Sequence, residues 1–170
     1  MPFLGTWRVS ACLQPRELLG FVVGPQESGS VPYRSAATRE FFHVLNTVRY
    51  SDSLIPVAAK SLDSSNLTVA SQAAIFLGQH GSGAVQDTLW QRLNALWTLW
   101  HDHGVELRGP ALPLDKSIQS QSAHLEQSLA SALAHANNWK LTPAERDRLR
   151  DGCLTEQCQR IAEGKMSFGL

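Results

Sequence analysis

Histidine, aspartate and histidine stand side by side at positions 101–103, residue types that can ligate a metal. A bound metal such as zinc wants three or four ligands converging on one point. Neighbours on an α-helix point about 100° apart, so His101 and His103 diverge by about 200° on a continuous helix. They could converge only where the helix has already unwound before Gly104. Cys153, His124 and His135 have no spacing that nominates them as further ligands. Imidazoles at this place suit a helix end, where they meet free carbonyls and the negative pole of the helix dipole. No metal and no cofactor is expected.

Other constellations fare no better. His80, Ser82 and Asp87 contain the residue types of a hydrolytic triad. However, no strand precedes Ser82 and no Gly-x-Ser-x-Gly elbow surrounds it. Gly78, Gly81 and Gly83 lack the lysine and the strand that a phosphate loop needs. Glu106, Asp115 and Glu126 are carboxylates without an inferable pairing. Glu145-Arg146-Asp147-Arg148 and Arg150-Asp151 alternate in sign, the pattern of a solvated helix face with weak local ion pairs. No catalytic residue is nominated.

The aromatic residues remain. Trp90, Trp97 and Trp100 share one helix with Leu93, at spacings of three, four and three. Such a stripe ordinarily belongs to a core, where each buried aromatic contributes about 2–3 kcal/mol by area. Tryptophan is also enriched at interface hot spots. The three are therefore the binding candidates of the chain, for a partner surface or an apolar ligand.

Composition bounds the rest. The chain has 170 residues, of which 43% are hydrophobic and 18% charged, enough apolar material for one domain. Fifteen basic residues balance fifteen acidic ones, which removes the usual argument for nucleic acid. No apolar run is long enough to span a membrane. Val9-Ser10-Ala11-Cys12 has the look of a lipidation motif, but its apolar stretch is short and Arg8 lies on the wrong side of it. A soluble protein is expected, cytoplasmic rather than secreted. Cys12, Cys153 and Cys158 do not form a disulfide framework. Cys153 and Cys158 would point about 140° apart on one helix and could bond only across a break, which Leu154-Thr155 could supply. Free thiols are the expectation.

The elements that must position these groups are helices. Residues 1–34 are broken by Pro15, Gly20, Gly24-Pro25, Gly29 and Pro32 and read as an irregular N-terminal segment. From Ser35 onward the chain reads as a helical domain, 35–170. Phe41, Val44, Leu45 and Val48 form a first stripe. Helices are predicted over 54–62, with Pro56 in its first turn, then 67–80, 84–103, 118–138, 143–152 and 156–163. Asn66 is the expected cap of the 67–80 helix and Gly81 its terminator at positive φ. Thr142-Pro143-Ala144-Glu145 has a hydroxyl cap, proline at the first helical position and a glutamate three residues after the cap. No stretch alternates with period two, so the fold class is all-α, either a HEAT-like helical repeat or an irregular helical bundle.

One segment, 54–81, resembles a HEAT repeat. Pro56 lies early in the first helix, Leu62 and Asp63 at the turn, Val69 opens the second helix, and Ala73-Ala74 and Leu77-Gly78 follow. The family usually has an arginine after that valine, paired with the turn aspartate, and here the place is taken by Ala70. The resemblance implies an α-solenoid scaffold that binds proteins along a curved surface. A minority of such proteins, the phycobilisome-lyase-like members, act on tetrapyrroles. The function expected is a non-catalytic protein-interaction or structural helical module, part of a larger protein, whose partner is another protein or another domain. The alternative is a small-molecule-binding or metal-dependent enzyme using a cleft near residues 101–103.

Overall fold

The computed structural model describes residues 51–108 and 117–165. The irregular segment 1–34, the stripe at Phe41–Val48 and Cys12 lie outside the described residues. Within them the chain is all-α: six helices, two 3-10 stretches and no strand. The helices are α1 (Ser51–Ser61), α2 (Leu67–His80), α3 (Gln86–Trp100), α4 (Ile118–Ala134), α5 (Pro143–Gly152) and α6 (Glu156–Ala162).

The bundle is organised around α4. Eleven of its seventeen residues are buried, and it packs against α2, α3, α6 and the 3-10 stretch His101–Arg108. Its buried surface mixes leucines with Ser122, Glu126, Gln127, Ser128 and Ser131. Small hydroxyl residues survive burial when they bond to their own helix, as the Ser128 hydroxyl does to the His124 carbonyl at 2.9 Å.

Small side chains let α2 come close. Ala70, Ala73, Ala74 and Gly78 are buried, and a Cβ on Gly78 would lie 2.8 Å from the Ala132 Cα atom of α4. The end of α2 is capped from outside. The backbone amide of Asn137 donates to the Gly78 carbonyl at 3.1 Å. The Asn137 and Asn138 side-chain amides donate to the carbonyls of Gln79 (3.1 Å) and Gly81 (2.7 Å). Carbonyls that a helix end leaves without intrahelical partners are thus served by the segment following α4. Trp139, just beyond, packs against the core.

Several boundaries differ from the sequence expectation. Helix α1 begins at Ser51, so Pro56 falls in its second turn, where the exposed ring costs the helix one amide donor. The predicted 84–103 helix divides into a 3-10 turn (Gly83–Val85), α3 and the 3-10 stretch His101–Arg108, which kinks at His103 (φ −121°, ψ 15°). Exposed side-chain contacts join His101 to Asp102 and His103 to Glu106 along this stretch. Helix α4 stops at Ala134, because Asn137 and Asn138 turn to cap α2. Helix α6 ends at Ala162, one residue earlier than predicted.

Gly81 ends α2 at φ −68°, not in the left-handed region. It is required for space: a Cβ there would lie 2.4 Å from the Leu77 carbonyl oxygen and 2.7 Å from Val85. Asn66 caps α2 as expected, accepting from Thr68 and Val69. The capping box of α5 is also present. The Thr142 hydroxyl accepts from the Glu145 amide at 3.3 Å, and Glu145 Oε2 accepts from the Thr142 amide at 2.7 Å.

Two outcomes follow for unfolding measurements in denaturant. Gly78→Ala should destabilise by about 1–3 kcal/mol through overpacking against Ala132. That reverses the gain of about 1 kcal/mol that alanine normally brings to a helix interior. Thr142→Ala should cost about 0.5–2 kcal/mol, with Thr142→Ser close to neutral.

Candidate functional site

The most unusual chemical group among the described residues is Glu126, a carboxylate on α4 with no exposed surface. Three parts of the fold converge on it. Trp97, on α3, donates its indole N–H to Oε1 at 2.8 Å. The backbone amide of Leu154 donates to the same oxygen at 2.7 Å. Thr155 supplies two donors to Oε2, its amide at 3.0 Å and its hydroxyl at 2.5 Å. Each carboxylate oxygen therefore accepts two hydrogen bonds from uncharged donors.

Local sequence explains why those donors face inward. Helix α5 ends at Gly152, and the Cys153 amide makes the last bond back, to Leu149. The backbone then runs extended through Cys153 (ψ 125°) and Thr155 (ψ 150°) before α6 begins. Thr155 caps α6 by accepting from the Cys158 amide at 3.2 Å while its hydroxyl proton points to Glu126. Gly152 makes room for Trp97, since a Cβ there would meet the indole ring at 2.3 Å. Trp97 in turn sits edge-on to Trp90, with centroids 6.4 Å apart, and the Arg148 guanidinium lies 4.5 Å over the Trp90 ring.

The same corner corrects the expectation of free thiols. Cys153 and Cys158 form a disulfide, with Cα atoms 5.5 Å apart. The angular argument against bonding assumed one continuous helix. The break at Leu154-Thr155 turns Cys158 back toward Cys153. By the chain-entropy relation, closing so short a loop contributes about 2 kcal/mol.

The tryptophan candidates separate by environment. Trp90 and Trp100 are buried, while Trp97 is half-buried and is the one of the three whose indole N–H has a protein acceptor. His101, Asp102 and His103 are exposed and do not converge. Nδ1 of His101 contacts Asp102 at 3.0 Å, and Nδ1 of His103 contacts Glu106 at 3.1 Å. The hydrogen bond from His101, with its charge, holds the Asp102 carboxyl below its ordinary value. His80 packs against Phe76, whereas Ser82 and Asp87 face solvent. Among the described residues, no group of three or more His, Cys, Asp or Glu could hold a metal ion. No described helix is long and apolar enough to cross a membrane.

Three other groups depart from their usual acidity, among them Glu163, which a hydrogen bond from Lys165 and its charge lower. Backbone and side-chain hydrogen bonds from Thr142 lower the Glu145 carboxyl, which also accepts from Gln86 at 2.9 Å and so ties α5 to the start of α3. Burial lowers the His124 imidazole.

No match was found among family models, curated proteins or solved structures.

Glu126 was not distinguishable in the sequence from Glu106 or Asp115, because its partners are 28 and 29 residues away in the chain. The available signal was indirect: a threonine cap flanked by two cysteines implied a break whose amides would need an acceptor. As a check, Glu126→Ala should cost at least about 1–3 kcal/mol, the penalty for a buried donor left without its acceptor, here borne by Trp97, Leu154 and Thr155. Glu126→Gln, which keeps one accepting oxygen, should cost less. The exposed control Glu106→Gln should stay within about 0.5 kcal/mol. Equal stability of all three in chemical denaturation would show that the carboxylate is not holding the corner.

Proposed function

We propose that this chain is a non-catalytic interaction or structural helical module that docks to another protein or to another domain. The observation that carries the reading is the use to which Glu126 is put. It is the one buried carboxylate among the described residues, and both its oxygens are engaged by the donors that close the fold. A general acid or base needs a lone pair or a proton facing its substrate. Several exposed charged groups are engaged in local pairs, as in Arg150 with Asp147 and Arg160 with Glu156.

Three exposed apolar side chains support docking. Leu99 is 72% exposed, Val105 75% and Ile118 56%. They stand at the end of α3, in the 3-10 stretch that follows and at the start of α4, elements that pack on one another. Large apolar side chains held in water at neighbouring element ends suit a partner surface. The hairpin of α1 and α2 spans the segment that resembles a HEAT repeat, and under this reading it is the scaffold's repeat unit.

The test compares the wild type with the triple variant Leu99→Ser/Val105→Ser/Ile118→Ser by crosslinking in the native cell. Wild type should capture a defined partner that the variant loses, with the two proteins melting at the same temperature. An identical partner set in both would overturn docking through these side chains. A turnover activity lost on replacing His101, Asp102 and His103 would favour the enzyme alternative.

A further inference from the structure

We infer that the Cys153–Cys158 disulfide is a thiol–disulfide exchange site, and that its reduction by a dithiol releases the α5–α6 corner from Glu126 while the body formed by α1 to α4 stays folded. The bond joins the residue that ends α5 to a residue inside α6, and the two residues whose amides reach Glu126 lie between. Cross-link and carboxylate therefore hold the same segment from opposite sides. The disulfide fixes its ends, and Glu126 fixes its middle. The body has separate supports: the α2–α4 packing at Gly78 and Ala132, and the Asn137 and Asn138 caps, none of which involves the bond.

The two residues differ in access. Cys153 is 8% exposed and Cys158 fully buried, so Cys153 is the side from which an incoming thiolate approaches. That attack forms a mixed disulfide on Cys153 and releases Cys158 as a thiolate. The second thiol of the reductant then displaces Cys153. The dithiol leaves as its own disulfide, having delivered two electrons, and the two cysteines take up two protons. An oxidised dithiol of higher potential reverses the sequence. Freed of its cross-link, the segment regains chain entropy, and the hydrogen bonds from Leu154 and Thr155, with the core packing of Leu149 and Ile161, must hold it without the bond.

The experiment uses the full chain in a Cys12→Ser background, so that only this pair exchanges. Nitrogen-edited NMR reads the Leu154 and Thr155 amides and the Trp97 indole in one spectrum. Millimolar dithiothreitol should expose two titratable thiols, shift all three signals and speed amide exchange at 154 and 155 at least about tenfold. Ala73, Ala74 and Leu129 should keep their protection, and an oxidised dithiol should restore the first spectrum. Cys153→Ser/Cys158→Ser should reproduce the reduced state without added reagent. Three outcomes would overturn the inference. A bond that resists dithiothreitol in the folded protein is not an exchange site. Reduction that leaves 154 and 155 protected shows that the bond does not control the corner. Collapse of the whole spectrum, in the reduced protein or the double serine variant, shows a global staple instead.

Discussion

A buried carboxylate whose partners among the described residues are all uncharged has to be satisfied at the centre of this fold, and much of the architecture follows from that requirement. Glu126 is sealed from water, and an unsatisfied charge there would cost several kcal/mol. It is satisfied by a side chain of α3 and by the two amides exposed where α5 gives way to α6. The constraint acts in both directions. Those amides sit at a helix break and would otherwise be buried without acceptors. Removing either party leaves the other unpaired, so α3, α4 and the α5–α6 corner are fixed as a unit.

The opposite side of α4 obeys a different logic. There the interaction with α2 is set by distance, and it depends on what is missing from Gly78 and reduced at Ala132, Ala73 and Ala74. Helices that approach this closely gain dispersion contacts over their backbones. The tertiary caps from Asn137 and Asn138 then register the end of α2 against the segment leaving α4. One helix thus carries a polar joint on one flank and a steric joint on the other.

What the sequence disclosed follows the range of the interactions. The α2 span from Leu67 to His80 and the α5 start at Pro143 were legible because their signals are local: Asn66 as cap, and Thr142 with Glu145 as a box. The α4 end was misjudged because Asn137 and Asn138 answer to carbonyls more than fifty residues earlier. The α3 end carries no such local signal: the backbone kinks at His103, one residue before the Gly104 that the sequence offers as the stop. At the candidate site, the tryptophan stripe was visible but its division of labour was not. Only Trp97 meets Glu126, and that depends on Gly152 leaving room for the ring. The cysteine pair depends on the break at Leu154-Thr155, and spacing alone does not reveal whether a helix continues through those two residues.

The shortness of the cysteine loop has a consequence for how the chain acquires its cross-link. The entropy of bringing two sites together grows with the length of chain between them. Cys153 and Cys158 are five residues apart, whereas Cys12 lies at the far end of the sequence. In an unfolded chain the two neighbours meet far more often than either meets Cys12. Correct pairing is therefore favoured by encounter frequency alone, before α4 or Glu126 has taken its place. A third cysteine can then persist in the sequence without scrambling the bond, and the oxidised corner is ready to receive the carboxylate when the helices assemble.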